Sequence, residues 1–217
     1  PLQLNALVNL LKYGLESQQQ QRVIDWFLVQ ITLLSQAGRQ EFTVFALQIL
    51  PEYRKNASAF SLLGKSLVAL GDYQQALIAL QTAQKLEEAE IPDIVSRINF
   101  QLAACYLKLQ RISDAESAAE KSLSISTNYL SHNSIEIAEA LNIQAEIAVI
   151  KGCYTQALKL SQKALQIFKS HQNISTLQLA QTKFTNAWLN ARNKNYEIAQ
   201  KLFKQTLEDI DSATHPL

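Results

Sequence analysis

The stretch that decides the fold is Leu63-Gly64-Lys65-Ser66-Leu67-Val68-Ala69-Leu70-Gly71-Asp72-Tyr73-Gln74-Gln75-Ala76-Leu77-Ile78-Ala79-Leu80, followed at a helical interval by Ala83. Leucines at helical intervals run up to Gly71, which suits the left-handed position that ends a helix. Asp72 is a natural N-cap for a second helix opening at Tyr73. Leu-Gly-Asp-Tyr (70–73) therefore predicts a tight joint between two antiparallel helices, Ala57–Leu70 and Tyr73–Leu86.

The same signature returns further on. The alanine that opens each second helix falls at Ala76, Ala115, Ala157 and Ala199, at spacings of 39, 42 and 42 residues. The inner turns align as Leu-Gln-Arg-Ile (109–112), Lys-Gly-Cys-Tyr (151–154) and Asn-Lys-Asn-Tyr (193–196). Helix pairs are expected at about Asp93–Leu109 with Ile112–Ile125, Ser134–Lys151 with Tyr154–Phe168, and Ser175–Asn193 with Tyr196–Ile210. A fixed period of this length marks a solenoid of stacked helix pairs. Gly64, Ala103, Ala145 and Ala187 occupy one equivalent small site in the first helices. There a larger side chain would push crossing axes apart from their usual 8–10 Å.

Composition agrees with an all-α chain. The 217 residues are 47% hydrophobic, enough for a sizeable core, and contain only five Gly and four Pro. Residues 1–56 read as irregular N-terminal helices. A leading stripe holds Leu2, Leu4, Leu7, Val8, Leu10 and Leu11, and helices follow at Arg22–Gln36 and Arg39–Leu50. We divide the rest into repeats at 57–92, 93–133, 134–174 and 175–211, with 212–217 as a tail or the start of a truncated repeat, all within one solenoid domain. The chain begins at Pro1 and lacks Met, which reads as a piece excised from a longer protein.

Several chemistries are argued against. A net charge of +1 gives no electrostatic case for nucleic acid or an anionic membrane. The most apolar stretch, Val23 to Leu34, is short and interrupted by Asp25 and Gln30, so no membrane span is expected and the location is read as cytoplasmic. Cys105 and Cys153 lack metal-site spacing and are expected as buried small hydrophobes. Gly64-Lys65-Ser66 mimics the end of a phosphate loop, but Ala59 stands where that loop needs glycine, and the segment sits in a helix. His132, His171 and His215 fall in inter-repeat turns without partners for metal or general-base work. The run Glu87-Glu88-Ala89-Glu90 reads as a solvated helix end. No cofactor, metal or catalytic set is expected.

The pattern resembles the tetratricopeptide repeat over roughly residues 57–211. The 42-residue spacing is similar to the long-helix variety found in kinesin light chains. So is the segment His132-Asn133-Ser134-Ile135-Glu136-Ile137-Ala138-Glu139-Ala140-Leu141-Asn142-Ile143-Gln144-Ala145, and His215-Pro216 looks like the start of another. Departures are Arg111 at an N-cap position, and Asn190 and Thr206 at positions usually apolar or small.

The resemblance implies an all-α, right-handed superhelix whose first helices line a concave groove that binds peptides or partner helices, without activity of its own. Carried over by position, the lining is Ser58, Ser61, Lys65 and Ala69 in the first repeat, and Arg97, Phe100, Gln101, Ala104 and Lys108 in the second. Glu139, Asn142, Glu146 and Ile150 follow in the third, and Gln181, Phe184, Trp188 and Arg192 in the fourth. The candidate partner contacts are Lys65, Arg97, Phe100, Gln101, Lys108, Asn142, Glu146, Gln181, Phe184, Trp188 and Arg192. The basic members would meet a carboxylate, and the aromatics would anchor an apolar side chain. A protein-interaction scaffold is the expected function. The alternative is a regulatory domain of a larger enzyme or transcription activator, holding a signalling peptide or small ligand.

Overall fold

A computed structural model describes residues 20–50, 56–86, 91–131, 134–171 and 176–214, with Asn9 and Tyr13 singly before them. Ten helices and no strand lie among the described residues. They are α1 Gln20–Gln36, α2 Gln40–Ile49, α3 Ala57–Leu70, α4 Tyr73–Gln84, α5 Pro92–Lys108, α6 Ile112–Tyr129, α7 Ile135–Ile150, α8 Tyr154–Ser170, α9 Thr176–Arg192 and α10 Tyr196–Thr214. The fold is all-α. The chain divides into two compact units, Pro1–Ile94 and Val95–Leu217. The first holds α1–α4. The second holds α6–α10 and all of α5 but its first turn.

Each helix pair closes through the same backbone turn. One residue takes a left-handed φ: Gly38 (75°), Gly71 (84°), Gln110 (57°), Gly152 (77°) and Lys194 (65°). The next residue donates its N–H to the carbonyl five positions back: Arg39 to Leu34, Asp72 to Leu67, Arg111 to Tyr106, Cys153 to Ala148 and Asn195 to Asn190. This bond satisfies carbonyls that the ending helix leaves without a partner. Caps vary around the constant turn. The Asn56 side chain accepts from Ala59 N–H at 2.8 Å, Asp72 accepts from Gln75 N–H and Ser134 from Ile137 N–H. Arg111 makes no side-chain cap and instead pairs with Asp114 at 2.7 Å, over the Tyr106 ring.

Lys194 and Gln110 hold a conformation that costs an L side chain on the order of 1 kcal/mol and glycine nothing. Lys194→Gly is therefore expected to raise stability by about 0.5–1 kcal/mol despite glycine's extra unfolded-state entropy. A urea midpoint at or below that of the wild type would contradict this.

The small sites behave as the sequence predicts. Ala103, Ala145, Ala187, Ala76, Ala115 and Ala157 are fully buried, and Ala199 is nearly so. Ile24, Phe27, Ile31, Leu47 and Leu80 fill the first unit. In the second, Phe168, Leu141, Ile137, Ala138 and Ala164 form one cluster. The α5–α6 crossing is lined by hydroxyls: Ser122 Oγ donates to Ser96 O at 2.9 Å, and the Ser126 hydroxyl also reaches Ser96. Helix α6 runs past this contact to Tyr129 rather than stopping at Ile125. Between α9 and α10, Lys183 forms a largely buried ion pair with Asp209, at the position Leu141 holds one repeat earlier.

Some expectations need correction. Cys153 is exposed, because it sits in the turn before α8 rather than inside a helix, while Cys105 is buried. Helix α10 continues through Thr214, so the supposed tail begins inside a helix. Asn190, out of pattern in sequence, is buried with its amide donating to Asn186 O and its oxygen accepting from Asn195. Gly64-Lys65-Ser66 lies within α3, with Lys65 exposed and Ser66 buried. The leading stripe on residues 2–11, the acidic run 87–90, His132 and His215-Pro216 lie outside the described residues.

Candidate partner-binding groove

The groove residues of the second unit come from the first helix of each pair, α5, α7 and α9. Repeat spacing puts Lys108, Glu146 and the Gln181–Phe184 turn toward one concavity. Its volume is about 570 Å³. Ala104, Ile143, Ala180 and Phe184 give it apolar walls, and Lys108, Glu146 and Gln181 bring charge and an amide. Phe184 is 55% exposed and rests edge-on against Phe203, ring centres 5.5 Å apart. Ring support on one side and an open face on the other leave it ready to receive an apolar group.

Glu146 is exposed by surface area yet surrounded by the cavity's walls. Loss of water around the carboxyl raises its pKa above the usual carboxylate value, and the nearby Lys108 ammonium partly lowers it again. A cation or donor arriving from a partner would favour the charged form. Both threonine hydroxyls of the lining are engaged by their own helices, Thr185 with Gln181 O and Thr206 with Leu202 O. The cavity thus combines apolar walls with a cation, a carboxyl and an amide.

Four of the eleven candidates thus meet in one cavity: Lys108, Glu146, Gln181 and Phe184. The others do not. Gln101 is buried in the second unit, because its position faces neighbouring helices rather than the opening. Ser61, another carried-over lining position, is buried in the first unit for the same reason. Asn142 is half-buried and donates from Nδ2 to Thr182 Oγ1 at 2.7 Å, tying α7 to α9. Glu139 makes the parallel tie, accepting from Gln178 at 2.8 Å. Trp188 packs against Tyr154, centres 5.8 Å apart, beside Ala148, Ala157 and Leu189. The Arg192 guanidinium lies over both rings at 5.2 and 5.3 Å, so its charge is already used in a cation–π contact. Arg97 and Phe100 are half-buried outside the cavity lining. Lys65 is exposed on α3 of the first unit.

Sequence reasoning missed Ile143, Ala180, Thr185, Thr206 and Ile210. Thr206 and Ile210 belong to α10, a second helix, whereas the resemblance places the groove on the first helices. The signal available was local: Thr206 and Ile210 replace the Ala164 and Phe168 of the preceding pair.

Comparison with known proteins agrees with this architecture. The family model described as tetratricopeptide repeat matches residues 94–170. No curated protein matches the sequence. Among solved structures, BtubC (BKLC) from P. vanneervenii superposes with a TM-score of 0.71 at 18% identity, covering 99% of this chain and 93% of that one. TTC0263, a thermophilic TPR protein in Thermus thermophilus, gives 0.64 at 16% identity over 84% and 89% of the two chains. The APC/C hetero-tetramer Cut9-Hcn1 gives 0.65 at 18% identity, covering 95% of this chain and 36% of that one. This match establishes the repeat type and does not extend to the kinesin-light-chain variety suggested by the spacing. Residues 94–170 carry tetratricopeptide repeats, and the chain has the fold of tetratricopeptide-repeat proteins.

Proposed function

We propose that this chain is a protein-interaction scaffold and that its second unit takes an apolar side chain of a partner peptide or helix into the cavity lined by α5, α7, α9 and α10. The observation that carries the reading is the open Phe184 ring on the wall of a concavity with Lys108 and Glu146 nearby. An aromatic in a partly desolvated pocket with charged neighbours is the arrangement that concentrates binding energy. The Cut9-Hcn1 assembly, by its description, shows a protein of similar fold within a hetero-tetramer, which is consistent with scaffold work.

A photo-crosslinking residue at Phe184, expressed in the native cell, tests this against the same residue at Ile78 on α4, which is also exposed. Partners should be captured at Phe184 and not at Ile78. Phe184→Glu should then reduce recovery of those partners about 30-fold or more, the effect of losing a central anchor. Its melting temperature should stay within a degree or two, because the ring is more than half open. Equal capture at both positions, or unchanged recovery by the variant, would show that the cavity is not the binding surface.

A further inference from the structure

The cavity of the second unit holds a carboxyl to which the fold brings no donor. Glu146 lines it from α7, and no hydrogen bond or close ion pair reaches its carboxyl from any described residue. Its charged neighbour in the lining is Lys108 of α5, which is itself exposed to water. Helices α9 and α10 turn Gln181, Phe184, Thr185, Thr206 and Ile210 to the cavity, none of them titratable. Helices α6 and α8 contribute no described lining residue. The walls strip water from the carboxylate, and Lys108 offsets only part of that loss. An entering group that is purely apolar would remove more water at further cost. A partner carboxylate would add a like charge beside Glu146. A cation would compensate it.

The chain shows elsewhere which cation such a place takes. At the turn between α5 and α6, Arg111 donates from Nε to the Asp114 carboxylate at 2.7 Å, and its guanidinium lies 4.6 Å from the centre of the Tyr106 ring. Carboxylate and ring together hold one planar cation. Arg192 over Trp188 and Tyr154 repeats the ring half of that arrangement. The cavity offers both parts without the arginine: the Glu146 carboxyl and the open Phe184 ring, with the Gln181 amide oxygen as a further acceptor. A guanidinium can fork its donors onto a carboxylate and also lie flat on an aromatic face, which a lysine ammonium cannot.

We propose that the partner segment carries an arginine next to its apolar anchor and that Glu146 selects it, a reading that rests on the cavity being the binding surface. Only the charged carboxylate pairs with the guanidinium. Affinity is therefore full above the raised pKa that Glu146 has in the unbound chain, and it declines as pH falls below that value.

Random peptides displayed on phage and selected on the 217-residue chain test this, followed by titration of a synthetic peptide of the enriched sequence. The wild type should enrich arginine beside an apolar residue. Glu146→Gln should bind that peptide about tenfold more weakly or worse, and its affinity should no longer fall with pH. Citrulline in place of the peptide's arginine should cost the wild type as much and the variant little. Lys108→Gln should tighten binding, because it removes a like charge. A selection without that arginine, acidic peptides that depend on Lys108, or equal affinity in Glu146→Gln would overturn the proposal. Peptides lost with Phe184→Glu yet indifferent to Glu146→Gln overturn the arginine alone. Peptides that bind Phe184→Glu undiminished overturn the cavity as the binding surface, and the arginine with it.

Discussion

Phe168→Ala is expected to lower the stability of the second unit by about 3–5 kcal/mol, the range for a buried aromatic removed from a packed core. Phe168 is fully buried. It sits among Ile137, Ala138, Leu141 and Ala164, with Leu123 of α6 and Leu179 of α9 packed against the same cluster. Four successive helices therefore meet at one cluster, and alanine at Phe168 would leave a void that none can fill without leaving its own register. Because stacked pairs hold one another up, the loss should spread to the neighbouring pairs rather than remain in α8. Equilibrium urea denaturation followed by helical circular dichroism measures it. The control is Ile210→Ala, the equivalent position one repeat later and 41% exposed, expected to cost no more than about 1 kcal/mol. Similar losses for the two variants would contradict the assigned core.

Gly64→Ala is expected to destabilise the first unit by about 2 kcal/mol, against helix propensity. Alanine in a helix interior is favoured over glycine by about 1 kcal/mol. Here a Cβ would stand 2.5 Å from Leu80 Cγ and 2.6 Å from its Cδ2, and Leu80 is fully buried with nowhere to retreat. Overpacking of this kind costs about 1–3 kcal/mol or more and outweighs the propensity gain. Two of the three equivalent sites show the same trade in volume, Ala103 with Ala119 and Ala145 with Ser161, whereas Ala187 stands with Phe203, whose ring packs on Phe184 instead. Leu80→Ala alone should be costly, yet Gly64→Ala should become neutral or favourable within it. That favourable coupling in a double-mutant cycle is the readout. Additive costs would place the clash elsewhere.

Helix boundaries were largely legible in the sequence. Ala57–Leu70 runs as predicted, and the starts at Tyr73, Ile112, Tyr154 and Tyr196 agree. The groove was less legible. Lys108, Glu146, Gln181 and Phe184 meet as the repeat positions suggest, but Asn142, Gln101, Trp188 and Arg192 are engaged or enclosed. Asn142 finds Thr182 forty residues away, and Trp188 finds Tyr154 on another helix. No local pattern encodes which side chain such a position will meet.

By itself the sequence determined the helix pairs and the turns that fold them. A left-handed residue, the carbonyl five residues behind its successor and a small residue at each crossing are all settled within one hairpin of chain. Tertiary structure alone decided which faces stay open. Leu165 and Leu207 are the same residue at the same place in the motif, yet 7% and 62% exposed, and Leu165 is covered because α9 packs on its helix, a contact no local pattern encodes.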